Sequence, residues 1–193
     1  MKSFVWTLFS LAMLPHAASA GTVTGSASLT IWPDFGSFYS LDIQEEDGVL
    51  VGNSGLSSNN MFRVEQHGNE LRGYADDGFV RVTCDAGRCS GQIGSGTVSV
   101  NYTVHGSEMT IRGSLNHVFV DVKVTGDKLE LYGDGSMSLT RRSNGGWDGT
   151  GFLNRDPRSR FNARLELAGS LAGRLTDPGF VLTTLVAPFV RNN

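Results

Sequence analysis

One short pattern recurs along this chain at even intervals. Two flanking residues bracket a four-residue segment that carries glycine. The pairs are Gln66/Leu71, Cys84/Cys89, Val104/Met109, Val124/Leu129 and Arg142/Trp147, around HGNE, DAGR, HGSE, TGDK and SNGG. Successive units are displaced by 18, 20, 20 and 18 residues. All the steps are even. Side chains alternate faces along a strand, so an even step keeps each flanking pair on the same face, and an odd step would exchange core and surface.

The segments between the turns alternate as half-buried strands do. Val98, Val100, Tyr102 and Val104 share one face, with Ser99, Asn101 and Thr103 opposite. Val118, Val120, Val122 and Val124 repeat this, and Leu129 and Leu131 continue it beyond the turn. The far ends of the units have turn chemistry of their own in ADDG, GSG, GSLN and GDG. Upstream, LDIQEEDGVLVG gives another unit, flanked by Gln44 and Val49. Downstream, LELAGSLAG gives one with a turn residue fewer. LRGYADDGFVRVT from Leu71 also matches LAGRLTDPGFVLTT from Leu171 with one inserted residue. FNARLELAGSLAGRL has some amphipathic helical character, but Gly169 and Gly173 and its match to the repeat favour a strand.

The expected fold is all-β: an antiparallel meander of about seven repeated hairpins, of 18–22-residue period, rolled into a barrel or folded into two layers. A β-solenoid with one rung per unit is the alternative. A small outer-membrane barrel is a further one. It requires longer strands and an outward apolar band, and the final PFVRNN lacks the terminal aromatic expected of such barrels.

The first twenty residues read as a secretory signal peptide, with Lys2, an apolar run from Phe4 to Leu14 and the small-residue site Ala18-Ser19-Ala20. That run is shorter than the ~20 residues a membrane-spanning helix needs. The remainder, 21–193, is expected to be a single β-repeat domain. Its formal charge of −4 after loss of Lys2 gives no general attraction to nucleic acid or membrane. The expected location is secreted: periplasm, cell surface or extracellular. An oxidising compartment favours a Cys84–Cys89 disulfide. Two cysteines are too few for a zinc site, and CxxxxC is not a thioredoxin-like motif.

No catalytic constellation stands out. His67 and His105 hold equivalent turn positions two units apart, too far to share a metal, and His117 begins a strand without an evident partner. The acidic turns Glu45-Glu46-Asp47-Gly48, Asp76-Asp77-Gly78 and Asp134-Gly135 read as turn chemistry. No metal or other cofactor is expected. Asp34, Asp42, Asp121 and Glu130 are candidates for paired-carboxylate glycosidase chemistry, although the sequence brings no two of them together.

The most distinctive polar stretch is rich in arginine. Arg141, Arg142, Arg155, Arg158, Arg160 and Arg164 surround Trp147, Phe152 and Phe161, with Asp148 and Asp156 between them. Arginine forks suit phosphate and carboxylate. This makes Arg141, Arg142, Trp147, Arg155, Arg158, Arg160 and Arg164 candidate anion- or ligand-binding residues. Phe119 and Tyr132 on the polar face, and the aromatic loop WPDFGSFY from Trp32, are candidate stacking surfaces. Asn101-Tyr102-Thr103 is a mid-strand glycosylation sequon.

The composite expectation is a non-catalytic envelope or binding protein, with an anionic polysaccharide or another envelope component as partner. A carbohydrate-active enzyme using two carboxylates is the alternative. The arginine stretch is expected to give salt-sensitive anion binding, weakened in the double variant Arg158→Ala/Arg160→Ala. Isothermal titration at two salt concentrations measures this.

Overall fold

The computed structural model describes residues 22–34, 39–56, 60–75, 78–153, 156 and 158–187. The leader-like segment, Arg155 and the tip of the WPDFGSFY loop lie outside them. Fourteen strands run as an antiparallel meander, and the last returns to the first to close a barrel. In chain order they are β1 (Val23–Pro33), β2 (Tyr39–Glu46), β3 (Val49–Leu56), β4 (Asn60–His67), β5 (Glu70–Ala75), β6 (Gly78–Asp85) and β7 (Arg88–Ile93). Then come β8 (Gly96–His105), β9 (Glu108–Leu115), β10 (Val118–Val124), β11 (Lys128–Tyr132), β12 (Ser136–Arg141), β13 (Trp147–Phe152) and β14 (Arg160–Gly169). The meander is thus a closed barrel, neither two layers nor the coiled rungs of a solenoid.

Alternation places the apolar face inside. Leu29, Leu41, Ile43, Val64, Val80, Val82, Val98, Val100, Ile111, Val120, Val122 and Leu139 are buried in one core. The outward face carries Arg63, Arg72, Arg81, Arg112, Lys123 and Arg164 with serines, threonines and carboxylates between them. That is the reverse of a lipid-facing band, which is apolar outward.

Glycine occupies the same inward mid-strand position on successive odd strands: Gly52, Gly73, Gly91 and Gly113. At Gly73 (φ +153°) an added Cβ would fall 1.9 Å from the carbonyl oxygen of Arg63. No other residue fits there without moving the neighbouring strand. Such kinks let a sheet curve tightly enough to close.

At one end the hairpins close with two-residue turns. Asp47-Gly48 (φ +50°, +82°) and Ala86-Gly87 (φ +47°, +83°) both have the left-handed geometry that matches strand twist. The cysteines bond to each other across β6 and β7. Cys89 is fully buried and the pair faces inward, where Val104/Met109 and Val124/Leu129 stand in later hairpins.

Two registers differ from the sequence expectation. The inward pair of the β2–β3 hairpin is Glu45/Leu50 rather than Gln44/Val49. In the β12–β13 hairpin Trp147 pairs with Arg141, and Arg142 falls in a five-residue connection. His117 lies in the Asn116-His117 turn (φ +49°, +64°), just before β10.

The largest departure is at the C-terminus. LELAGSLAG and LAGRLTDPGFVLTT do not form a further hairpin. β14 ends at Gly169, and a 3₁₀ segment, Ser170–Thr176, turns across the barrel end. A helix then starts at Pro178 and continues through Leu182–Val186 with π-type turns. Asp177 caps it, accepting from the Phe180 amide at 3.0 Å, and Pro178 sits in the first turn, where its missing N–H costs nothing. The matching ADDG of β5–β6 has no proline, and its two aspartates lie outside the described residues.

Residues 179–186 are buried on every side. A helix without a polar face belongs inside a core, and this one occupies the barrel lumen. Fourteen strands about 4.8 Å apart and tilted by ~40° give a barrel roughly 28 Å across. Inward side chains alone would not fill it, and a helix about 10–12 Å wide does. Thr183 and Thr184 enter the lumen without an unmet donor, bonding to the carbonyls of Gly179 (2.9 Å) and Phe180 (2.6 Å). Phe180→Ala is expected to cost roughly 3–5 kcal/mol by opening a luminal cavity, measured as a fall in the urea midpoint with little change in slope.

Candidate functional site

The barrel has two unlike ends. The 3₁₀ segment covers the end where the Asp47-Gly48 and Ala86-Gly87 turns lie. Leu171 and Leu175 point into the core. Arg174 ties the segment down on one side: it meets Glu45 on β2 at 3.3 Å, Gln66 on β4, and Asp177 at 2.6 Å, with its guanidinium 5.4 Å from the Phe180 ring centre.

On the opposite side the cap touches β9 but leaves a gap toward the hairpins β10–β11 and β12–β13. A cleft of about 570 Å³ opens there, lined among others by Ser107, Val124, Arg141, Trp147, Leu167 and Gly173. Arg141 faces inward, 6.0 Å from the Trp147 ring centre, and reaches the Gly126 carbonyl at 3.5 Å. Arg142 pairs with Glu166 and, at 3.3 Å, with Asp148. Arg164 meets the same aspartate at 2.9 Å.

The other end carries aromatics on its outer rim. Trp32, Met61, Tyr74, Phe79, Phe119 and Tyr132 are all strongly exposed. Each lies near the end of its strand at this rim, and Tyr74 and Phe79 meet edge to face at 5.8 Å. A groove of about 610 Å³ runs along β11–β14 here. Asp34, Tyr132, Phe152 and Arg160 line it, with Ser136, Ser138, Thr150 and Asn162 along its floor.

The arginine stretch is therefore divided. Arg141, Arg142, Trp147 and Arg164 belong to the capped end. Arg158 and Arg160 belong to the aromatic end, about 20 Å away along β13. Sequence reading placed Phe119, Tyr132 and the Trp32–Asp34 segment separately, and the closed barrel brings them to one rim. It missed Met61, Tyr74 and Phe79, and it took Phe152 only as one of the aromatics interleaved with the arginine stretch. Their signal is positional: each is an outward residue within a residue or two of the turns at that end.

Asp42, Asp121 and Glu130 lie outward on their strands, and Asp34 lies just beyond β1. Asp121 is paired with Arg112 at 3.1 Å and Glu130 with Lys128 at 2.5 Å. The carboxylates that come closest are held apart by a shared arginine, Asp148 and Glu166 by Arg142 and Glu45 and Asp177 by Arg174, whereas Asp42 and Glu166 flank Ser28 two strand spacings, or about 10 Å, apart. Glu166 is engaged by Arg142. His67 rests on Glu65 at 3.3 Å, and among the described residues no three metal-binding side chains gather. The chain matches no family model, no curated protein and no solved structure.

The outer wall between the ends is laced with ion pairs. The tightest centres on Glu70, which accepts from Arg72 (2.5 Å) and Arg81 (2.8 Å). The Arg72 hydrogen bond, followed by that of Arg81, lowers the Glu70 carboxyl from 4.5 to about 2. Its depressed value makes this contribution to folding complete above about pH 4.5 and lost as pH falls toward 2. The Glu70 side-chain carboxyl carbon is expected to titrate near pH 2 by NMR, and to move up toward 4.5 in Arg72→Ala.

Proposed function

We propose that this chain is a non-catalytic binding protein of the cell envelope that engages an anionic polysaccharide through the groove at its aromatic end. The observation that carries the reading is the convergence at that groove of Tyr132 and Phe152 with Arg160 and a row of hydroxyl and amide side chains. Aromatic faces suit the apolar faces of sugar rings, small polar side chains suit their hydroxyls, and an arginine fork suits a uronate carboxylate. The groove lies on the outer wall, so a long polymer could lie along it without entering the barrel.

Two further features support a non-catalytic role outside the cytoplasm. Among the described residues the lumen is occupied by the chain's own helix. The leader-like N-terminus and the Cys84–Cys89 bond suit an oxidising compartment. The charged outer wall favours a water-soluble barrel over an outer-membrane one.

Affinity electrophoresis through gels containing polygalacturonate tests the proposal, with neutral dextran as control. Retardation by polygalacturonate alone, weakened about tenfold in Tyr132→Ala/Phe152→Ala (about 1.4 kcal/mol), is the expected result. No retardation by polygalacturonate, or retardation unchanged in the double variant, would overturn it.

A further inference from the structure

We propose a second, separate ligand site at the capped end: the cleft beside the 3₁₀ segment takes a small amphiphile bearing one carboxylate or phosphate head. The charge pattern around the cleft carries the argument. Arg142, Arg164 and Arg174 are each met by carboxylates. Arg141 has no carboxylate partner among the described residues. Its neighbours are a backbone carbonyl and the face of Trp147. A guanidinium held over an indole face, 6.0 Å from its centre, leaves its outer edge available, an arrangement that fits a bidentate anion.

The surroundings specify the rest of the ligand. Trp147, Val124, Leu175 and Leu167 give the cleft an apolar floor and wall, and Ser107, Thr125 and Asn144 stand at its edge. The volume, about 570 Å³, is that of a small-molecule site, and barrel mouths are a common place for one. A head group on Arg141 would direct an attached chain across Trp147 toward Leu175, beneath the cap. The one carboxylate lining this cleft, Glu166, is turned to Arg142. The site lies at the opposite end of the barrel from the polysaccharide groove and does not depend on it.

Trp147 provides the readout. In a Trp6→Phe/Trp32→Phe background it is the sole tryptophan. Its emission is followed while dodecanoate, dodecyl phosphate, dodecanol or dodecyltrimethylammonium is added below the micellar concentration. The expected result is a saturable change with the two anions, at least tenfold weaker binding of the alcohol and the cation, and at least a tenfold loss for both anions in Arg141→Gln. Gly173→Phe gives an independent arm. A Cβ at Gly173 meets nothing within 4 Å, so the new ring can occupy the cleft without displacing the core, and it is expected to abolish the response. The proposal is overturned if the anions give no saturable change, if the alcohol or the cation binds as tightly, or if binding survives undiminished in either variant.

Discussion

A fourteen-stranded barrel encloses more space than its own inward side chains fill, and the rest of this structure depends on how that space is occupied. Unfilled apolar volume is costly, because side chains facing a void lose their packing partners. Here the chain supplies its own filling, the helix from Pro178 to Val186, whose residues from Gly179 onward present no polar face. Gly179 marks how close the fit is: an added Cβ would sit 2.2 Å from Leu71 on β5. The 3₁₀ cap, the Arg174 contacts and the Asp177 cap all serve to turn the chain from the barrel wall into its axis.

The same device makes the two ends different. One end must admit the helix, so it carries the cap, the charged ties to Glu45 and Gln66, and the disulfide-linked hairpin beside the entry point. The other end is free of that task and carries the aromatic rim. Between them the wall is polar and heavily ion-paired. Exposed pairs of this kind add little stability. Their larger effect is to make the outer face of a long, curved sheet polar.

Much of the fold was legible because a barrel wall obeys a period of two. The even spacing of Gln66, Cys84, Val104 and Val124 identified the inward face directly, and the cysteine pair marked its register. Registers slipped at Gln44/Val49, where the two-residue turn Asp47-Gly48 lies one position beyond the assumed frame, and at Arg142/Trp147, where the connection is five residues long. The C-terminal segment was misread for a more instructive reason. LAGRLTDPGFVLTT resembles a hairpin unit in composition, but one proline and one capping aspartate redirect it into a helix, and its unbroken apolar run fits a lumen that no local pattern announces. The candidate sites were harder still. The arginines of residues 141–164 are neighbours in sequence and lie at opposite ends of two strands, whereas Asp34, Tyr132 and Arg160 are distant in sequence and share a groove.

Closure of the barrel has a consequence for how the chain can assemble. The seam joins β1 to β14, with Gly25 paired to Gly169 about 140 residues away, and the helix that must end up inside is made after β14. A meander can zip up locally, hairpin by hairpin, but its first strand keeps an open edge until the last one arrives. Long-range pairing of this kind is slow, and open edges invite association with other chains. Until β14 and the helix behind it have been made, the chain is an open sheet with a bare apolar face.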